Sequence, residues 1–206
     1  MTEPFVSEVV IERLPLYLRM LQFLEKEGKQ VTSSQELAER LGFSSAQIRK
    51  DLSYFGEFGK QGTGYNVMFL QKQLRRILQI EQTRDMALIG VGDLGRALAN
   101  YQGFVEQGFH LVALFDNAPQ KIGMTVGGLT VQPMTELGRV VHESKLEVVI
   151  LAVPAHAAQQ VANQLVELGV RAILNYAPIT LSVPSDVRVY NIDPVIGLQS
   201  MAYYLK

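Results

Sequence analysis

The stretch Met86-Ala87-Leu88-Ile89-Gly90-Val91-Gly92-Asp93-Leu94-Gly95-Arg96-Ala97-Leu98-Ala99 decides the fold. An apolar strand runs into Gly-x-Gly-x-x-Gly and then into a helix start, the order of a dinucleotide-binding turn. Gly90 makes the tight turn, Gly92 lets the backbone approach a pyrophosphate, and Gly95 lets the helix pack close against the strand. Taken alone the pattern is weak. A second strand, Leu111 to Phe115, strengthens it by ending in Asp116, 21 residues after Gly95. A carboxylate there accepts hydrogen bonds from both adenosine ribose hydroxyls and repels a 2′-phosphate. Since Asn117, Ala118 and Pro119 bring no arginine to offset it, the site is expected to take NAD(H) rather than NADP(H). The competing reading makes Asp116 a turn residue at a strand end.

Downstream, short β-branched runs alternate with helical stretches, the pattern of a parallel βαβ sheet. Leu146 to Ala152 ends in Val153-Pro154-Ala155-His156 and is followed by a helix with Ala157, Val161, Leu165 and Leu168 on one face. Arg171 to Leu174 ends in Asn175-Tyr176-Ala177-Pro178. Ligands of open α/β sheets lie over the carboxyl ends of strands. Val153, Pro154, Asn175, Ala177 and Pro178 are therefore the expected neighbours of the far half of the dinucleotide, in a Rossmann-type parallel α/β domain over residues 86–193.

Upstream the period is helical. The polar stretch Glu81-Gln82-Thr83-Arg84-Asp85 marks the boundary, and residues 1–80 form a separate domain. Leu14, Tyr17, Leu18, Leu21 and Leu24 make one helical face, with Pro15 near its start and Gly28 just past its end. Ser33-Ser34-Gln35-Glu36 and Ser44-Ser45-Ala46-Gln47 are two capping boxes that open two short helices, with Gly42 between them. In the second, Ile48, Leu52 and Phe55 face inward while Ser45, Gln47, Arg49 and Lys50 face outward. This is the spacing of a helix-turn-helix, whose second helix enters a major groove.

The loop Phe58-Gly59-Lys60-Gln61-Gly62-Thr63-Gly64-Tyr65-Asn66 reads as the hairpin wing of a winged helix, with Lys60, Gln61 and Gly62 at its tip. A fourth helix follows from Val67, with Leu70, Leu74 and Ile77 inward and Lys72, Arg75 and Arg76 outward. The plainer reading is a small helical domain with a solvated basic face.

Charge favours the nucleic-acid reading. The whole chain of 206 residues carries a formal −1, but residues 44–76 hold six Lys and Arg against two Asp and Glu, a local +4. About four or five phosphate contacts make a modest footprint for one copy, so a dimer on double-stranded DNA is expected.

The chain has no cysteine, which excludes disulfides, thiolate catalysis, cysteine-ligated zinc and any thiol switch. Its three histidines are scattered, so no metal site is expected. His156, at the mouth of the site, reads as a helix-starting residue rather than a catalytic acid. Apolar runs such as Val148 to Pro154 fall far short of the ~20 residues a membrane span needs, so a soluble cytoplasmic protein without a membrane partner is expected.

The whole chain resembles the Rex family of bacterial redox-sensing repressors. The resemblance rests on Gln47-Ile48-Arg49-Lys50-Asp51-Leu52-Ser53-Tyr54-Phe55-Gly56, the wing through Gly62-Thr63-Gly64-Tyr65, the fingerprint Gly90 to Gly95, and Ile173-Leu174-Asn175-Tyr176-Ala177-Pro178. It implies a homodimer that binds inverted-repeat operator DNA and is released when NADH replaces NAD⁺ as the NADH/NAD⁺ ratio rises, with no catalytic residue. It adds Ser53 and Tyr54 to the DNA-binding set. It also implies that the apolar helix within 194–206 is exchanged between subunits. Asp193, with Tyr101 and Arg19, is implied as the group that couples redox state to shape.

Two departures from the family pattern are visible. Gln61 occupies a wing position where the family usually has arginine, and Pro194 replaces a larger apolar residue. The rival readings are a small NAD-dependent dehydrogenase and a CoA- or nucleotide-binding module.

Overall fold

A computed structural model describes residues 6–60 and 63–205 of the chain. It divides into two compact units, Met1–Gln82 and Thr83–Lys206.

In the first unit, helix α1 spans Glu8–Lys26, so it begins nearly two turns earlier than the periodicity suggests and has Pro15 in its interior. Proline there removes one helical donor. The apolar stripe nevertheless extends back to a buried Val10, one turn before Leu14, and that burial accounts for the added turns. After strand β1 (Val31–Thr32), α2 (Ser34–Leu41) and α3 (Ser45–Ser53) are joined through Gly42, whose φ of 74° is the left-handed turn a glycine supplies.

Each capping serine accepts one N–H: Ser33 Oγ from Glu36 and Ser44 Oγ from Gln47, both at 3.1 Å. The expected return contacts are replaced by stronger partners. The Glu36 carboxylate takes the Thr32 hydroxyl at 2.9 Å and the Lys29 ammonium, and the Gln47 amide donates to Asp51 at 2.7 Å.

Strands β2 (Gly59–Lys60) and β3 (Gly64–Asn66) pair antiparallel, and β1 adds to β3, giving the sheet order β1-β3-β2. Helix α4 (Val67–Ile77) follows, capped by Asn66 Oδ1 on the Phe69 N–H at 2.8 Å. Leu14, Tyr17, Leu21, Leu24, Leu37, Ile48, Leu70 and Leu74 are fully enclosed and form the core of this winged helix.

The second unit runs β4 (Arg84–Ile89), α5 (Asp93–Ala99), α6 (Gly103–Glu106), β5 (Phe109–Asp116), β6 (Thr125–Val126), β7 (Leu129–Pro133), α7 (Leu137–Glu143), β8 (Val148–Leu151), α8 (Ala155–Glu167), β9 (Ala172–Asn175), β10 (Arg188–Asn191) and α9 (Pro194–Ala202). Its sheet has the order β10-β9-β8-β4-β5-β7-β6, parallel except for the short hairpin partner β6. Strand order reverses between β4 and β8, so the crevice of a doubly wound sheet opens at their carboxyl ends.

Two apolar layers sandwich the sheet. One is built on Ile89, Phe115, Leu151 and Leu165, the other on Leu88, Leu114 and Ile150. The buried stripe of α8 is Ala158, Ala162 and Leu165, one residue round from the expected face, and the small alanines seat the helix against the sheet. Helix α9 buries none of its side chains: Val195, Ile196, Leu198 and Met201 are each more than half exposed.

Candidate functional site

The turn after β4 is built as the fingerprint requires. A side chain at Gly95 would collide with the Gly90 carbonyl oxygen, so α5 reaches its close seat on β4 only with glycine there. At Gly92 a Cβ would meet nothing within 4 Å, because its α-carbon faces an open cavity of about 470 Å³. Ile89, Gly90, Gly92, Asp93, Leu94, Asp116, Asn117, Val153, Pro154 and His156 all line that cavity. Asp93 reaches solvent and pairs with Arg96.

Asp116 is the buried carboxylate of this lining. It is 4% exposed, and its oxygens are already engaged by the chain. Oδ2 accepts from the Val91 N–H at 2.7 Å and from Lys121 Nζ at 2.9 Å, and Oδ1 accepts from the Ala118 N–H at 2.9 Å. Burial opposes its ionisation, but these hydrogen bonds outweigh that cost and hold the carboxyl below its ordinary value. The Val91 N–H is thus committed to Asp116, which ties the first βα turn to the end of β5.

The expected far-half residues are divided. Val153 and Pro154 line the cavity, whereas Asn175, Ala177 and Pro178 do not. Asn175 is fully buried: its Nδ2 donates to the Ala177 and Ile179 carbonyls and to Asn191 Oδ1, and its Oδ1 accepts the Ala177 N–H. It shapes the loop after β9, with its amide taken up by the Ala177 and Ile179 carbonyls, Asn191 Oδ1 and the Ala177 N–H.

Residues that the periodicity did not single out for this site are Lys121, Met134, Ala157, Val161 and Tyr176. Tyr176 and Lys121 had a signal, since each follows a strand end by a few residues. Met134 had none. Tyr176 is half-buried, which pushes its phenol pKa up.

Tyr101 is exposed and packs edge-on against Phe104, ring centres 5.1 Å apart. Asp193 Oδ1 caps α9 by accepting the Val195 N–H at 2.9 Å, with Pro194 as the first helical residue. Arg19 is exposed on α1, in the other unit.

On α3, Ile48, Asp51 and Leu52 are buried, leaving Arg49, Lys50 and Ser53 exposed along one face with Tyr54 beyond them. Asp51 is wholly enclosed and accepts from Arg13 Nε at 2.6 Å, Arg13 Nη2 at 2.8 Å, Tyr17 at 2.6 Å and Gln47 at 2.7 Å. It therefore subtracts nothing from the charge of the outer face. Gln47 is only half outward, since Asp51 holds its amide N–H.

Ser45 is half-buried at the helix start. Arg49 donates to Ser34 Oγ at 2.8 Å, which splints the two helices of the helix-turn-helix, and Ser53 donates to the Lys50 carbonyl. Gln61 and Gly62, with the Lys60 side chain, lie outside the described residues.

Among the described residues no cluster of His, Asp or Glu could hold a metal, and no helix is long and apolar enough to cross a membrane.

Comparison with known proteins matches two separate stretches of the chain. A family profile described as "Putative DNA-binding protein N-terminus" matches residues 5–53, and one described as "CoA binding domain" matches residues 81–179. The "Redox-sensing transcriptional repressor Rex" of Chloroflexus aurantiacus is 54% identical over 198 residues, 96% of this chain and 93% of that protein. That of Brevibacillus brevis is 42% identical over 200 residues, 97% of each. Among solved structures, "RSP in complex with beta-NAD+ and operator DNA" superposes with a TM-score of 0.92 at 40% identity, covering 98% of this chain and 93% of the other. "RSP in complex with beta-NADH" superposes at 0.88 and 38% identity, covering 98% and 95%. With relatives this similar matching both the helix-turn-helix unit and the sheet unit, the chain belongs to the Rex family of redox-sensing transcriptional repressors.

Proposed function

We propose that this chain is a cytoplasmic, non-enzymatic repressor that binds inverted-repeat operator DNA as a homodimer and lets go when NADH replaces NAD⁺. The observation that carries the reading is the pairing, in one chain, of an exposed Arg49-Lys50 face on a helix-turn-helix with a crevice running from Gly92 to Asp116. Residues 1–80 read the operator, 86–193 bind the nucleotide, and 194–206 join the subunits.

The crevice fits a dinucleotide. Gly92 leaves open the space a side chain would fill, where a pyrophosphate can approach the backbone, and Asp116 stands at the ribose end. Val153 and Pro154, at the end of β8, take the nicotinamide half. The nicotinamide supplies a ring that is cationic when oxidised and neutral when reduced, and no hydride need leave it.

On the DNA side, Arg49, Lys50 and Ser53 of α3 meet the major groove with Tyr54, Ser45 and Gln47 at its margins. Lys60, Gln61 and Gly62 of the wing reach the adjacent minor groove or phosphates. The apolar face of α9 needs a partner, and a second copy of the chain supplies it by exchange of this helix.

Asp193, with Tyr101 and Arg19, couples redox state to shape. Asp193 caps α9, so a change in its partners also alters the hold on the subunit-joining helix. A ligand shifts such an equilibrium only by its difference in affinity for the two states, and ~100-fold regulation needs about 2.7 kcal/mol.

A mobility-shift assay on an inverted-repeat operator, with NADH and NAD⁺ titrated separately, tests the reading. Loss of the shifted band with NADH alone is the expected result. Failure to bind at any salt concentration, together with turnover of an alcohol or hydroxy acid, would favour a dehydrogenase instead.

A further inference from the structure

We propose that Lys121 is the second half of the ribose-recognition element and sets how strongly the site rejects adenosine nucleotides phosphorylated on the ribose. This rests on the nucleotide-binding reading above.

An aspartate at the end of the second strand selects an unphosphorylated ribose through its full negative charge. Here that charge is shared. Lys121 Nζ lies 2.9 Å from Asp116 Oδ2, and both residues line the cavity. The loop that carries the lysine is fixed, with the Lys121 N–H bonded to the Ala118 carbonyl at 2.9 Å while the Ala118 N–H is held by Asp116 Oδ1 at the same distance. The cation is thus built onto the carboxylate, not a surface side chain passing by.

A carboxylate and an ammonium at contact distance form a pair of zero net charge. Its field beyond a few ångströms is that of a dipole, much weaker than the field of a lone charge in the same cavity. An ammonium also has three N–H donors, of which Asp116 takes one. The remaining two can meet a phosphate oxygen that a bare aspartate would repel. With both Val91 and Lys121 on Oδ2, the oxygen left with most spare capacity for a ribose hydroxyl is Oδ1. Lys121 therefore weakens recognition of the free ribose and softens rejection of the phosphorylated one, both through one ion pair.

The phosphate could sit on the 2′-oxygen, as in NADPH, or on the 3′-oxygen, as in coenzyme A. The match of residues 81–179 to a CoA-binding profile makes the second worth its own arm.

The test uses the full-length chain. Dissociation constants for NADH and NADPH are measured by nicotinamide fluorescence for the wild type, Lys121→Met and Lys121→Arg. Coenzyme A and its 3′-dephospho form then compete against NADH. The methionine variant should raise the NADPH-to-NADH ratio of dissociation constants about 10-fold, with tighter NADH and weaker NADPH, the size expected when a single ionic interaction is removed. The arginine variant should stay within about 3-fold of the wild type, since it keeps the charge. A parallel rise in the coenzyme A ratio identifies the 3′-phosphate as a second accepted form.

A methionine variant with the wild-type ratio for both nucleotide pairs overturns the proposal. If the wild type binds NADH but the arginine variant behaves as methionine does, a geometric role replaces the charge role and the proposal also fails. Absence of NADH binding by the wild type removes the nucleotide reading itself, and the inference with it.

Discussion

Arg13 and Asp51 are joined by two hydrogen bonds, Nε to Oδ2 at 2.6 Å and Nη2 to Oδ1 at 2.8 Å, across 38 residues of sequence. The pair bolts the recognition helix α3 to α1, and Tyr17 completes it from inside the core. A side chain in the middle of the second helix of the helix-turn-helix is thereby committed to holding that helix in place.

Asp51→Asn should cost the N-terminal unit about 2–4 kcal/mol, because it leaves the Arg13 charge partly buried without its counter-charge. Chemical denaturation should show a lower midpoint with the slope unchanged.

The same pair makes stability depend on acidity. Burial opposes the ionisation of Asp51, yet the hydrogen bonds from Arg13, Tyr17 and Gln47 prevail and hold its carboxyl below the ordinary value. Its stabilising contribution is therefore complete above the unfolded pKa of about 3.9 and is lost as the pH falls through the lower folded value. The stability gap between wild type and Asp51→Asn should be constant near neutrality and close as the pH falls below about 4. A gap that widens toward acid would contradict this assignment.

Lys50→Ala should weaken operator binding and lower the salt slope. Each lysine that neutralises a DNA phosphate contributes about 0.9 to the dependence of log K on log salt, so a dimer without both copies of Lys50 should show a slope smaller by about 2. Ser34→Ala, which only frees Arg49 from its splint, should have a smaller effect on affinity and leave the slope alone.

Gly92→Ala and Gly95→Ala should separate binding from folding. The first places a methyl in open cavity space and should weaken NADH binding with little change in unfolding. The second drives a methyl into the Gly90 carbonyl and should lower the midpoint of the C-terminal unit by an amount equivalent to about 1–3 kcal/mol. Equal stability of the two variants in thermal melts would refute the packing role of Gly95.

Leu198→Asp should leave each chain folded and separate the subunits, since Leu198 is 62% exposed in a single copy and has little to lose there. Light scattering should show the mass falling from a dimer to the 22.9 kDa monomer. A monomeric wild type would remove α9 as the joining element.

Asp193→Ala removes the cap on α9 and the charge of its carboxylate. The operator complex of the variant should need a different NADH concentration for release, and an unchanged midpoint in the mobility-shift titration would sink its coupling role.

Much of this protein is written in local spacing. The Gly90-to-Gly95 fingerprint, Asp116 at a strand end, the two serine caps and the Gly42 turn each depend on residues a few positions apart, and backbone geometry alone gives those spacings meaning. The strands legible as apolar runs were the central ones, β4, β5, β8 and β9. The edge strands β6 and β10 carry few apolar residues, and a half-exposed strand leaves no continuous run to read. The face of α8 was misplaced by one residue because alanine serves equally against a sheet and beside a cavity.

By itself, then, the sequence determined the order of elements, the winged helix followed by the dinucleotide fold, and the identity of the turn residues, because those properties follow from chain-local periods and steric demands. Only the tertiary structure decided what long-range partners do to them. It withdrew Asp51 from the DNA face by setting it against Arg13, filled Asn175 with backbone contacts, placed Lys121 on Asp116, and left α9 without a cover of its own. Those outcomes depend on which distant groups meet in three dimensions, and no periodicity along the chain encodes such meetings.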